Sequence, residues 1–161
     1  MQANTRDELP RGERTAKWGP APLAADARRG VVTLWAYPKA GEMNLLAAAG
    51  DALVAEGAHA EAGMSLKDGR LVPSDLAILL VRFCRQNLSL GVEVPELEAG
   101  EIGKKMKLNF NAQEAEEWEM AASMVKPLIP KGVRFSPRLL LVTLASFYLN
   151  HSDSKQVPLD I

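Results

Sequence analysis

Lys105-Met106-Lys107-Leu108-Asn109-Phe110-Asn111 alternates polar and apolar side chains without a break. Successive side chains of a strand point to opposite faces, so this stretch predicts a strand with Met106, Leu108 and Phe110 buried and Lys105, Lys107, Asn109 and Asn111 turned to solvent. Such a strand needs a partner for its open edge and a cover for its apolar face. The cover follows in the chain. Trp118, Ala121, Ala122, Val125, Leu128 and Ile129 recur at helical spacing. Ser136-Pro137 then supplies an N-cap and a first-turn proline for a last helix carrying Leu140, Leu144 and Phe147.

The strand partner lies upstream. Val31–Tyr37 is rich in β-branched and aromatic residues and stops at Pro38. Met43, Leu46, Ala47, Gly50, Leu53 and Val54 form a helical stripe that ends near Gly57; a loop rich in Gly and Ala follows. Pro73-Ser74-Asp75 opens a second helix with Leu76, Leu79, Leu80 and Phe83 on one face. An offset of 75 carries the first helical stripe onto Trp118 to Ile129. An offset of 74 carries Val32, Leu34 and Ala36 onto Met106, Leu108 and Phe110, and one of 64 carries Pro73, Leu76, Leu80 and Phe83 onto Pro137, Leu140, Leu144 and Phe147. The chain thus reads as two diverged copies of one strand-helix-helix unit, 31–88 and 104–151, joined by a linker at 89–103 that carries Gly91, Pro95, Gly100 and four glutamates. Residues 1–30, with six basic residues and three prolines but no apolar period, read as a flexible arm, and 152–161 as a tail.

Two copies in one chain supply each other's missing edge and cover, predicting an α+β, mostly helical single domain that folds as a monomer. Its two strands form an antiparallel ribbon beneath four main helices. The outward ribbon face then carries Val31, Thr33, Trp35 and Tyr37 from one strand and Lys105, Lys107, Asn109 and Asn111 from the other. A two-stranded ribbon fits the major groove, where Lys donates to guanine acceptors, Asn bridges adenine N6 and N7, and Thr or an aromatic ring meets a thymine methyl. Thr33, Trp35, Tyr37, Lys105, Lys107 and Asn109 are therefore the base-contact candidates. Ser74, Ser136 and Arg138, at the starts of the second helices, are the phosphate-contact candidates.

Composition constrains this reading. The chain has 161 residues, of which 47% are apolar and 24% charged, the size and balance of one ordinary domain. A formal charge of −1 excludes a protein living on bulk attraction to phosphate, so any contact with DNA must use a local basic face. The longest apolar stretches, near Ala77–Val81 and Leu139–Ala145, are far shorter than the roughly 20 residues of a membrane helix, and the charged N-terminus is unlike a signal peptide. A cytoplasmic location and no membrane partner are expected. Cys84 has no possible disulfide partner and sits in an apolar run, the place of a core thiol.

These segments resemble the ribbon-helix-helix superfamily of MetJ- and Arc-like regulators, and within it the VirC-type overdrive-binding proteins of T-DNA transfer plasmids. The resemblance covers about Val31 to His151. It is most particular in Leu144-Ala145-Ser146-Phe147-Tyr148, following Lys107-Leu108-Asn109-Phe110. It implies a fused pair of ribbon-helix-helix units that binds a DNA element near a transfer origin or border and assists the relaxase that nicks it. The first strand departs from the polar reader pattern by offering Trp35 and Tyr37.

An enzyme is disfavoured. His59 and His151 have no carboxylate, Cys or second His at ligand spacing, and no Gly-rich phosphate loop follows a strand, so no metal, cofactor or small-molecule substrate is expected. Both histidines read as surface residues, and Glu114, Glu116, Glu117 and Glu119 as a solvated face at a helix start. Two other readings stay open: a protein-interaction module of a transfer or partition complex, docking through Trp35, Tyr37 and Met43, and a transcriptional repressor or antitoxin-like regulator on the same fold.

Overall fold

The computed structural model describes residues 32–152. The expected arm 1–30, Val31 and most of the tail lie outside the described residues. The element order is β1 Val32–Ala36, α1 Ala40–Glu56, α2 Ala58–Glu61, α3 Pro73–Gln86, β2 Met106–Phe110, α4 Ala112–Val125 and α5 Pro137–Ser152, with 3-10 turns at Leu88–Leu90 and Lys126–Leu128. The architecture is α+β and mostly helical, with a two-stranded antiparallel ribbon. The short α2 falls where the sequence reads as loop.

Local chemistry sets the boundaries. The backbone N–H of Lys39 donates to Glu42 Oε1 at 2.9 Å, so α1 starts without a Ser, Thr or Asp cap. It ends at Gly57, whose φ of 82° is left-handed and whose N–H closes onto the carbonyls of Leu53 and Val54. At α4 the Glu114 N–H donates to Asn111 Oδ1 at 2.7 Å while the Asn111 N–H donates to Glu114 Oε1 at 3.0 Å, a reciprocal capping box. Asn111 is therefore buried, not on the outward ribbon face as the alternation predicts. The strand stops at Phe110, and the next residue turns inward to cap.

The ribbon register pairs Val32 with Phe110, Thr33 with Asn109, Leu34 with Leu108, Trp35 with Lys107 and Ala36 with Met106. Ala36, Met106, Leu108 and Phe110 are buried, and Val32 and Leu34 pack half-buried against the same core. Beneath the ribbon, α3 lies under β2 and α5 under β1. The two central helices cross at Phe83, whose ring meets Phe147 edge-on at 5.8 Å and Tyr148 at 4.9 Å. Outside them, α1 packs on α5 and α4 on α3. Each buried Leu or Phe contributes about 1.5–3 kcal/mol relative to exposure.

The helical stripe of α4 is shorter than expected. The helix ends at Val125, and Leu128 in the following 3-10 turn is 47% exposed. Glu42, Leu46, Ala49 and Leu53, the buried positions of α1, map in sequence onto Glu114, Trp118, Ala121 and Val125 of α4 at an offset of 72, which also relates the caps Lys39 and Asn111. The offset of 75 is thus wrong by three residues. Three residues are nearly one helical turn, so the stripe slides along itself with little loss of pattern. The strand offset of 74 and the second-helix offset of 64 fit the observed elements. Between strand and first helix the upstream segment has two more residues, Tyr37 and Pro38.

Candidate nucleic-acid interface

Thr33, Trp35, Tyr37, Lys105, Lys107 and Asn109 come together on the ribbon face turned away from the helices. Asn109 is half-buried and the other five are exposed. Antiparallel pairing places their side chains across from one another. The Thr33 hydroxyl donates to Asn109 Oδ1 at 2.9 Å. The Lys105 and Lys107 ammonium groups stand 5.7 and 5.8 Å from the centre of the Trp35 ring. Both distances lie within cation–π range, so the indole has two positive charges against it on the surface. Trp35 and Tyr37 are 44% and 40% exposed. The face is thus polar at the Thr33–Asn109 end and cationic-aromatic at the other.

The helix-start candidates fare differently. The Ser74 hydroxyl is buried and accepts the Asn109 N–H of β2 at 2.8 Å, so it ties α3 to the ribbon and does not face a phosphate. The Arg138 guanidinium is spent inside the protein. Its Nε and Nη2 donate to the two oxygens of Glu42 at 2.7 and 2.9 Å, and Nη2 also donates to the Glu98 carbonyl at 2.6 Å. A planar fork satisfied by a carboxylate holds position; it is not a spare cation for a phosphate. Ser136 accepts the Leu139 N–H at 3.1 Å, the N-cap the sequence predicts, and stays partly exposed.

Glu42 is nearly inaccessible. Burial alone would push its carboxyl up. Hydrogen bonds from Arg138 and from the Lys39 and Glu98 N–H groups, with the nearby positive charge, outweigh that and hold its pKa below the usual carboxylate value. Of the acidic run of α4, Glu116 and Glu119 are exposed, as the expected solvated face requires, and the other two are not. Glu114 and Glu117 are buried, the first as a cap, the second in a bidentate pair with buried Arg82 at 2.9 and 3.0 Å. They lie three apart on the inward face, where helix position and not residue type decides exposure.

Beside the aromatic end of the ribbon, Trp35, Tyr37, Lys39, Ile102, Ser136, Pro137 and the Glu42-paired Arg138 wall a cleft of about 320 Å3. Sequence reasoning missed Lys39 and Ile102, since Ile102 sits in a stretch that reads as linker. An isolated antiparallel bridge joins the two, the Ala40 N–H donates to the Glu101 carbonyl at 3.1 Å, and the Gly103 N–H donates to the Pro38 carbonyl at 2.8 Å. At Gly103 a Cβ would stand 2.8 Å from the Met43 Cγ and 3.0 Å from the Ala40 Cα, so a side chain there would require Met43 to move and the start of α1 to give way slightly. The Ile102-Gly103 pair, at the end of an acidic linker just before β2, is the signal that could have marked this docked strap.

Among the described residues no cluster of three or more His, Cys, Asp or Glu could hold a metal ion, and no helix is long and apolar enough to cross a membrane. His59 and His151 are half-buried at the surface, the latter with its ring tilted against Phe147 at 4.5 Å. Cys84 is buried, and burial pushes its thiol up to about 11. No protein-family model, curated protein or solved structure matches the chain.

Proposed function

We propose that the chain is a single-chain pseudo-dimer of two ribbon-helix-helix units that binds duplex DNA by laying the outward face of the β1–β2 ribbon in the major groove. The observation that carries this reading is the convergence of Thr33, Trp35, Tyr37, Lys105, Lys107 and Asn109 on one ribbon face, opposite the face on which the helices of the described residues pack. A groove reader needs donors, acceptors and methyl contacts on a narrow protruding ribbon, and this face offers them.

The pseudo-dimer is supported by a consistent twofold relation. The register is centred on Leu34 and Leu108, positions equivalent at the strand offset, so half a turn about that point exchanges β1 with β2. The same exchange swaps the packing of α1 on α5 for that of α4 on α3 and sets Phe83 against Phe147 at the crossing. The role of an accessory factor in plasmid or T-DNA transfer, working beside a relaxase, rests on the resemblance stated above.

Because the two outward rows differ, the preferred site is non-palindromic. Selection from random duplexes followed by titration of variants tests this. Lys107→Ala or Asn109→Ala should cost roughly 1–3 kcal/mol and relax preference at one or two base pairs. A palindromic consensus, or unchanged affinity in both variants, contradicts ribbon readout. One observation favours a second reading: the exposed Trp35 and Tyr37 also suit a protein-interaction module, which would form no salt-sensitive complex with DNA.

A further inference from the structure

We infer that the cleft beside β1 takes an unpaired base, so that this face binds DNA where a duplex passes into a single strand; the inference rests on the reading of the ribbon as a DNA-binding surface.

Four observations converge on it. The cleft is concave, whereas groove reading needs side chains that protrude. At about 320 Å3 it lies at the small end of the roughly 300–1,000 Å3 range of ligand clefts. Its walls are two half-exposed aromatic rings, Trp35 and Tyr37, with Pro137 and the 52% exposed Ile102. Two of its walls break the twofold relation, because Tyr37 and Pro38 have no counterpart between β2 and α4, and the strap that carries Ile102 is the connection between the two segments. Finally its surroundings are cationic: Lys39 lines it, and Lys105 and Lys107 stand against the Trp35 ring.

Chemistry selects the occupant. A base inside a duplex has both flat faces covered by its neighbours and shows only its edge, from which an aromatic ring gains little beyond a thymine methyl. An unstacked base exposes its π-faces to aromatic walls and brings a phosphate on each side for the ammonium groups. The Ser136 oxygen already accepts the Leu139 N–H, and its own O–H can donate to a base oxygen or ring nitrogen. An aliphatic or aromatic side chain of a protein would fit the walls but leave three ammonium groups without a counter-charge. Every base has a π-face, so the cleft is tolerant of sequence while the Thr33–Asn109 end is selective.

The test is fluorescence anisotropy with a labelled blunt duplex and the same duplex bearing a short oligo(dT) overhang on either strand. The quantity read is the ratio of the two dissociation constants. The overhang should tighten binding roughly 5- to 100-fold, the range of one or two stacked bases. Trp35→Leu should bring the ratio close to one, and Trp35→Phe, which keeps a ring, should preserve most of it. Asn109→Ala, at the Thr33 end of the ribbon and away from the cleft, should weaken both complexes and leave the ratio standing. Far-UV circular dichroism checks that each exposed-site variant is folded. A wild-type ratio near one, or a ratio that survives Trp35→Leu and Tyr37→Leu, overturns the cleft as a base site while leaving duplex binding intact. No binding to either probe overturns the duplex reading and this inference together.

Discussion

Arg138 shows how one side chain changes role between sequence and structure. At the start of α5 its position suits a phosphate contact, but Glu42 and the Glu98 carbonyl occupy it. Arg138→Ala should therefore lower stability by about 1.5–3 kcal/mol, the loss of hydrogen bonds to a charged group, and leave the salt dependence of DNA binding unchanged. Thermal melts and a salt titration separate the two effects. A lower salt slope with an unchanged melt would return Arg138 to the phosphate. Its partner Glu42 makes stability depend on pH. The folded-state pKa is depressed, so the carboxylate stabilises the fold fully above the unfolded value of about 4.3 and progressively less as pH falls through the lower folded value. Melts from neutral pH down to acid should show Glu42→Gln less stable than wild type at neutral pH, with the gap closing below about pH 4. A gap independent of pH would contradict the depressed carboxyl. None of this pairing is legible in sequence, because Glu42 and Arg138 stand in separate segments and neither residue type announces burial. Cys84 was legible, since its apolar neighbours already mark a core position.

At the level of elements, periodicity identified what would form and which strand face would be buried, and it left the alignment of the helices open. The period of two in Lys105–Phe110 admits one assignment of faces, since a slip of one residue would bury lysines. The stripes of α1 and α4 admit several, one turn apart, and only the caps and the inward Glu42 and Glu114 select the offset of 72. Packing also decides what a fragment can do. α4 lies on α3 and β2 pairs with β1, so the apolar surfaces of the downstream segment are covered mainly by the upstream one. Residues 104–161 expressed alone should show no cooperative, concentration-independent melt by circular dichroism. Such a melt from a monomeric fragment would contradict the fused pair.

For the whole molecule the deciding quantity is where charge sits, not how much there is. A net charge of −1 over 161 residues gives no general attraction to DNA, yet Lys105 and Lys107 face outward together on the ribbon. Glu42 and Glu117 each pair with an arginine inside the protein and Glu114 caps a helix, so these groups add little to the surface charge. The net charge therefore says little about the ribbon face, where two lysines stand side by side. The candidate face was legible from alternation in β2, while the cleft was not, since it needs a linker folded back on the start of α1. The most direct test of duplex binding by this face is an anisotropy titration of the full chain with mixed-sequence duplex DNA over a range of NaCl concentrations, beside the Lys105→Ala/Lys107→Ala double variant. A salt-sensitive complex is expected, with a log–log slope that falls by about one to two in the double variant. No complex even at low salt, or a double variant that binds with wild-type affinity and slope, would contradict it.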